Sequence, residues 1–280
     1  MTGQVRNFLT VDVEEWFHVC GVGGPLAIDR WDSLPTRVDL TTRLTLDLLA
    51  GRAITGTFFI LGWIADRYPH LVDLIRRAGH EIASHGWSHR RVYELDEASF
   101  DDELTRANNA ITAAGALPPV GFRAPEWSIN DRSLWALDVL ARRGFLYDSS
   151  MTPLRIVGNP DYPQVPHRRA TSHGSLFEVP PLVTRRFGQQ FPLGGGWGLR
   201  MSSPAAVAKE IEARNRRGEP VTLFLHPWEI DPDPPRVALP WALAFSHYWR
   251  LSGYRERLDE VLASAPFGPI GEGIGRGDAA

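Results

Sequence analysis

Four stretches of this chain share one design, and that design restricts the fold more than any other feature. Residues 38–50, 71–78, 133–143 and 204–217 carry apolar side chains at helical spacing, among them Leu40/Leu44/Leu48, Leu71/Ile75/Ala78, Leu134/Leu137/Ala141 and Val207/Ile211. A glycine follows each at once (Gly51, Gly79, Gly144, Gly218) and supplies the left-handed residue that stops a helix. Three of the stretches finish in Arg-Arg, which suits the negative end of a helix dipole. After each glycine comes a short apolar run of strand length, at 57–61, 81–84, 145–147 and 221–225. Residues 8–13 and 120–122 read as two more strands and 176–179 as a seventh. Strands alternating with helices predict an α/β fold with a mainly parallel sheet, either a barrel or an open doubly wound sheet. No Gly-rich phosphate loop follows the first strand, which argues against a nucleotide-binding sheet.

Composition narrows the class. At 280 residues, 43% hydrophobic and 22% charged, the chain has ordinary globular usage and enough length for a large core. A net charge of −3 does not provide the basic field that a nucleic-acid partner needs. The lone cysteine, Cys20, excludes an internal disulfide. No apolar run approaches the ~20 residues of a membrane span. The first residues lack a basic segment, a long apolar stretch and a small-residue cleavage site, so the expectation is a cytoplasmic protein. Two segments, about 151–175 and 185–200, show no clear periodicity and read as loop insertions in a single domain spanning 1–265. The second insertion contains Gly194-Gly195-Gly196-Trp197-Gly198 and reads as a flexible loop. A last helix is expected over about 241–263, and the Gly-rich tail 266–280 is expected to fray.

Polar residues cluster where strands end. Asp12 and Glu14 close the first strand, His85 and His89 follow the run 81–84, and Arg123 and Glu126 follow 120–122. Asp148 follows 145–147, and His226 follows 221–225. In a parallel α/β fold these ends emerge on one face, so distant residues converge there. His85 and His89, four apart, would share one face of a helical turn and let two imidazoles hold one divalent ion. Asp12 and Glu14 point to the same side of a strand. One of them can complete the metal site and the other can act as base on a water. Arg123 can keep that base ionised and oriented. Pro125 stiffens the turn, and a backbone N–H after it can hold an oxyanion. His226 is placed to protonate a leaving amine. Each feature has a plainer reading: satisfied histidines, a solvated acidic turn, a structural ion pair, a packed ring.

Taken in order, the pieces resemble the polysaccharide deacetylase superfamily, the NodB-like metal-dependent N-deacetylases. The family's TFDD opening resembles Thr10-Val11-Asp12-Val13-Glu14, and its H[ST]xxH motif resembles His85 to His89. Its RxxPY-like motif resembles Arg123 to Glu126, and its LxH motif resembles Phe224-Leu225-His226. The resemblance runs from about residue 7 to 228, and the phrasing is similar to that of the exopolysaccharide-associated subgroup. It implies a distorted (β/α) barrel of about seven strands and removal of N-acetyl groups from an amino-sugar-containing saccharide or glycoconjugate. It implies Asp12 as general base, His85 and His89 as metal ligands, His226 as general acid and Arg123 as the residue orienting Asp12. Asp148 would tune His226.

The chain departs from that pattern in three places. Val13 stands where the second aspartate is usual, so the carboxylate ligand moves to Glu14, with Glu15 as fallback. Gly86 replaces the hydroxyl residue of the second motif. The aromatic of the third motif is displaced to Trp127, leaving Glu126 in an unfamiliar place. Trp87, Trp127, Trp197 and Trp228 lie beside these motifs and could stack on sugar rings. The ion implied is zinc by default, and nickel, cobalt and manganese tolerate similar ligands. Two other readings compete: a hydrolase of a small cyclic or linear amide, and a saccharide-binding module without catalysis. An open groove would favour the saccharide hydrolase, and a closed pocket the small-amide enzyme. Oligomeric state is open.

Overall fold

The computed structural model describes residues 5–274. Its frame is one curled sheet in the order β10-β1-β2-β3-β4-β5-β7-β6, with a short β11 also on β1. The strands are β1 (Asn7–Val13), β2 (Thr57–Ile60), β3 (Glu81–Ser84), β4 (Gly121–Phe122), β5 (Tyr147–Asp148), β6 (His167–Thr171), β7 (Gly174–Glu178), β10 (Thr222–Leu225) and β11 (Phe267–Gly268). Every pairing is parallel except β6 with β7, so seven strands from β10 to β7 form a parallel half-barrel. β1 is at its heart, and all seven of its residues are buried.

Helices α1 (Val38–Gly51), α3 (Pro69–Arg77), α5 (Trp135–Arg142) and α7 (Pro204–Asn215) occupy the four stretches picked out by periodicity. Ser203 caps α7 by accepting from the Ala206 N–H, with Pro204 in the first turn. α1 keeps only part of the expected leucine stripe inside: Leu48 is buried and Leu44 half-buried, but Leu40 is exposed, and Val38, Thr41, Thr42, Thr45, Leu46 and Leu49 complete the buried face. Thr41 and Thr45 can do this because their hydroxyls are satisfied within the helix. Thr41 donates to the Arg37 carbonyl at 3.0 Å, and Thr45 to that of Thr41 at 2.8 Å. Two helices were not anticipated, α2 (Gly62–Arg67) and α4 (Glu97–Ala113). The second carries Phe100, Leu104, Ala107 and Ile111 on its buried face behind an Asp96 cap, a pattern present in the sequence.

Both expected loop insertions contain strands. The first holds β6 and begins the β6–β7 hairpin. The second holds hairpin β8 (Val183–Arg186)–β9 (Gln189–Pro192), turned by Phe187 and Gly188, both with positive φ. The glycine run is not a flexible loop. A Cβ at Gly195 would lie 1.9 Å from the Phe224 carbonyl oxygen, so glycine lets this segment bridge to β10 before α6 (Gly196–Met201) starts. The expected last helix is broken into α8 (Trp241–Tyr248) and α9 (Tyr254–Leu262) by Arg250 and Gly253, both left-handed. The expected frayed tail is ordered through residue 274. β11 pairs with Asn7 and Phe8, and α10 (Ile270–Ile274) buries Ile270 against Phe8 and Phe59. Residues 275–280 lie outside the described residues. Among the described residues, no helix is long and apolar enough to cross a membrane.

Candidate active site

The parallel register delivers the expected residues to one end of the sheet, where they line a cavity of about 360 Å³. Asp12 and Glu14 leave β1 on the same side, His85 follows β3, Arg123 follows β4, and His226 follows β10. All except His226 are nearly inaccessible, with Asp12 at 2%, Glu14 at 5%, His85 at 2% and His89 at 8% exposure. So much buried charge requires partners, and each group has one.

Glu14, His85 and His89 bring one ligand atom each to within 4.8 Å of one another. The HxxxH pair does not lie on a helical turn as expected. It sits on a loop bent by Gly86 (φ 73°) and His89 (φ 55°), which turns both rings toward the same point. The orientation of each ring is set from behind. Nδ1 of His85 donates to the Arg123 carbonyl at 2.8 Å, and Nδ1 of His89 lies 3.3 Å from Cys20 Sγ. Both Nε2 atoms therefore face forward. Glu14 Oε2 is buried without a hydrogen-bond partner, although His89 Nε2 is only 2.7 Å away, so the two converge without being aligned as donor and acceptor. Two imidazole nitrogens and an orphaned carboxylate oxygen fit a divalent cation. Burial depresses the His85 pKa to about 3, so the ring is neutral, as a ligand must be. Glu15 is not an alternative ligand. Its carboxylate accepts from the backbone N–H groups of Arg37 and Val38 at 2.8 and 3.0 Å, at the start of α1.

Asp12 is held by Arg123, whose Nη1 donates to Oδ1 at 2.7 Å and to Thr10 Oγ1 at 2.8 Å. The other guanidinium nitrogens donate to the Ser149 carbonyl at 3.1 Å and its hydroxyl at 2.8 Å. With 1% exposure, Arg123 is a buried cation whose geometry is over-determined. Across from Asp12, His226 Nε2 lies 3.1 Å from Glu14 Oε1 and 3.9 Å from Asp12 Oδ2.

Asp148 does not tune His226. It is fully buried on β5, accepts from the Ser150 hydroxyl, faces Glu178 across the strand pair, and is pushed by burial to a pKa of about 6. The partner of His226 is Glu229. One carboxylate oxygen takes both the His226 backbone N–H at 3.1 Å and its Nδ1 at 3.0 Å. Glu229 is paired in turn with buried Arg200 at 3.0 Å, and Arg200 donates to the carbonyls of Ser246 and His247 on α8 and of Trp249 just after it. Burial works against a charged His226, yet Glu14, Glu229 and Asp12 raise its pKa to about 9. A cation held by Glu14 would remove the largest of those attractions. Glu229 had a signal in the sequence: Pro227 and Glu229 at the first and third helical positions after His226 make a capping box. Arg200 had none.

The aromatic expectations divide. Trp127, Trp197 and Trp228 line the cavity, whereas Trp87 is covered by the Arg106 guanidinium at 3.5 Å. Trp228 is stacked between His226 and His247, at 5.5 and 4.2 Å. Pro125 is buried in the turn and is not among the residues that line the cavity. Glu126 and Trp127 both have positive φ, and Arg91 pairs with Glu126 at 2.7 Å, which holds that strained turn. His18, not anticipated, also lines the cavity.

Residues 30–144 match the family model described as polysaccharide deacetylase, and residues 149–274 match that of a domain of unknown function. A chitin deacetylase of Pestalotiopsis sp is 35% identical over 96 residues, 33% of this chain and 32% of that protein. A peptidoglycan-N-acetylglucosamine deacetylase of Bacillus cereus is 28% identical over 94 residues, 33% of this chain and 34% of that protein. This chain thus spans about a third of the length of the curated relatives it matches. The crystal structure of a candidate polysaccharide deacetylase from Mycobacterium smegmatis aligns with 100% of this chain and 92% of its own. Its TM-score is 0.64 at 23% identity, a likeness of fold. The matched segment carries His85, His89 and Arg123, so residues 30–144 are the part of this chain that resembles the polysaccharide deacetylase family.

Proposed function

We propose that this chain is a metal-dependent hydrolase that removes the N-acetyl group from an amino-sugar unit. The observation that carries the reading is the placement of Asp12 and His226 on either side of the Glu14/His85/His89 cluster, each held by its own buried partner. The similarity to chitin and peptidoglycan deacetylases supports the choice of amide.

A divalent ion bound by Glu14, His85 and His89 would acidify a water and polarise the amide carbonyl, and zinc is the ion this ligand set suits best. Asp12, fixed by Arg123, takes the proton of the attacking water. The water oxygen bonds to the carbonyl carbon, and the C–N bond then breaks. His226 gives its Nε2 proton to the departing nitrogen, so the products are acetate and a free amine. Glu229 keeps the Nδ1 proton of His226 in place, which leaves Nε2 as the working atom. In this reading Trp127, Trp197 and Trp228 contact the sugar, and Glu126, held by Arg91, fixes the turn that carries Trp127.

Metal content per chain and acetate release from N-acetylated oligosaccharides test this together. Near-stoichiometric metal with acetate released supports it, and a chain that takes up no zinc overturns it. A hydrolase of a small non-sugar amide is the second reading, favoured by the recessed position of the reacting groups. Metal binding without acetate release from any sugar would select it.

A further inference from the structure

Two carboxyl groups are buried side by side behind the site, and the mechanism proposed above uses neither. Asp148 on β5 stands directly opposite Glu178 on β7, with exposures of 0% and 1%, and neither lines the cavity. The two carboxyl groups are within hydrogen-bonding reach of each other. One oxygen of each is already paired. Asp148 Oδ1 accepts from the Ser150 hydroxyl, and Glu178 Oε1 accepts from the Met151 N–H at 3.0 Å. The remaining oxygens, Asp148 Oδ2 and Glu178 Oε2, are buried and meet no donor. Two ionised carboxylates in such contact would repel strongly in an interior of low dielectric. One proton held between them removes a charge and supplies the missing hydrogen bond. Burial, followed by the neighbouring Asp148, pushes the Glu178 carboxyl well above the usual carboxylate range, as this requires. The charged groups facing the pair are Arg123 from the end of β4 and Arg169 from β6. Tyr162, which also faces Glu178, donates its hydroxyl to Asp131.

The residues tied to this pair are the ones that support Arg123. Ser150 donates to Asp148 and accepts from the Ala124 N–H at 2.7 Å. Ser149 accepts from Arg123 Nη2 with its hydroxyl at 2.8 Å and from Nε with its carbonyl at 3.1 Å. The same hydroxyl donates to the carbonyl of Val179, the residue after Glu178, at 2.6 Å. Residues 149–151 are therefore anchored by Asp148 on one side and by Glu178 on the other. They hold the Nε–Nη2 edge of Arg123, while Nη1 is left to reach Asp12 and Thr10.

We propose that Asp148 and Glu178 share one proton and act together as a positioning pair for Arg123 and, through it, for Asp12. The shared proton joins β5 to β7 where Ser149 and Ser150 leave the sheet, and that junction fixes the angle at which the guanidinium meets Asp12. The consequence for catalysis rests on the deacetylase reading, in which Asp12 is the base.

The test uses amide replacements in the full chain loaded with zinc. Glu178→Gln keeps an acceptor for Met151 and turns an NH2 group toward Asp148. Asp148→Asn keeps an acceptor for Ser150 and turns an NH2 group toward Glu178. Either amide supplies permanently the donor that the proton supplies, so kcat for acetate release from a chitooligosaccharide should stay within about 3-fold of wild type. In the double variant, whichever way the amides turn, one donor is left facing another. There kcat should fall by roughly 10-fold to 100-fold with KM and zinc content unchanged. Glu178→Leu, which leaves Asp148 and the Met151 N–H without partners, should fall comparably. A double variant as active as the single ones would overturn the proposal, and so would single amides that lose as much as Glu178→Leu. Urea unfolding of wild type and Glu178→Gln provides a readout that does not depend on activity. An unfolded chain ionises Glu178 near its ordinary value of about 4.3, whereas the folded chain holds the proton to higher pH. The stability from this group is complete at acid pH and is lost as the pH rises. Between pH 5 and pH 9 the wild-type urea midpoint should therefore fall relative to that of Glu178→Gln, and parallel midpoints would overturn the shared proton. If wild type releases no acetate, the deacetylase reading fails, and the urea comparison still decides whether the pair holds its proton.

Discussion

The two parts of the chain that meet at the cavity contribute different things. Strands β1 to β4 bring the Glu14/His85/His89 cluster that could hold a metal, Asp12 and Arg123, with His85 and Asp12 held by hydrogen bonds from buried groups. The part after residue 149 brings His226, its partner Glu229, the buried Arg200 and most of the wall. Only the first part includes the segment that matches the deacetylase family. Under the proposed mechanism the sheet holds the metal and the base, and the C-terminal part supplies the proton donor. Replacements in the two parts should therefore fail in different ways.

The largest effects should come from the sheet. His85→Ala or His89→Ala removes a ligand that no neighbour can replace, so bound zinc and activity should vanish together. Zinc retained at wild-type stoichiometry in either variant would break the assignment of the cluster. Asp12→Asn should keep the metal and lower kcat by roughly 10²–10⁴-fold, the usual scale for a general base. If Asp12→Asn loses metal and Glu14→Gln keeps it, the two acids have exchanged roles.

On the C-terminal side, Glu229→Gln should leave metal content untouched. It removes the charge that holds the Nδ1 proton of His226 and raises that ring's pKa. kcat should fall by roughly 10-fold to 100-fold, the scale seen for partners that orient an imidazole. The limb of the pH profile that reports deprotonation of His226 should move to lower pH, because the proton is held less tightly. A fall in kcat with no movement of that limb would reduce Glu229 to a packing role.

How much of this was legible in the sequence follows the same division. The strand-end acids and histidines could be placed because a parallel sheet converts order along the chain into position at one edge. Strand alternation favoured Glu14 but left Glu15 open, and it is the cap that Glu15 forms on α1 that shows where the second acid goes. Asp148 misled because strand-end position does not reveal which strand pairs alongside: Glu178, in the run read as the seventh strand, sits directly opposite it. Arg200 was invisible for a related reason: its partners are carbonyl groups, which leave no mark in a sequence. The threonine face of α1 was misread because periodicity counts leucines, and a self-bonded threonine buries just as well.

Cys20 sharpens the comparison at the proposed metal site. Its sulfur lies 3.1 Å from the His89 carbonyl oxygen and 3.3 Å from His89 Nδ1, so it fixes the direction in which Nε2 faces. Cys20→Ala should weaken zinc binding by about 10-fold, at the lower end for an outer partner of a ligand. Cys20→Ser, which can still donate and accept, should recover most of it. The readout is the dissociation constant from competition with a chelator. Equal affinity in both variants and the wild type would mean that His89 is oriented by its backbone alone.

The smallest effect concerns a histidine of the sheet part that is away from the cavity. His80 packs against Phe58, its Nδ1 accepts from the Gly56 N–H at 3.1 Å, and burial lowers its pKa to about 4. An unfolded chain protonates the same ring near pH 6.5. Between those values only the unfolded chain takes up the proton, so this contribution is complete above pH 6.5 and is lost as the pH falls toward 4. His80→Asn keeps an acceptor for Gly56 and does not titrate. Urea unfolding at pH 7.5 and at pH 5 should therefore show wild type losing roughly 1–2 kcal/mol more than the variant. Zinc affinity and kcat at pH 7.5 should be the same in both proteins. Equal losses would show that His80 is not the group that senses acid. An altered kcat would show that the sheet and the site are less separable than the division between the two parts requires.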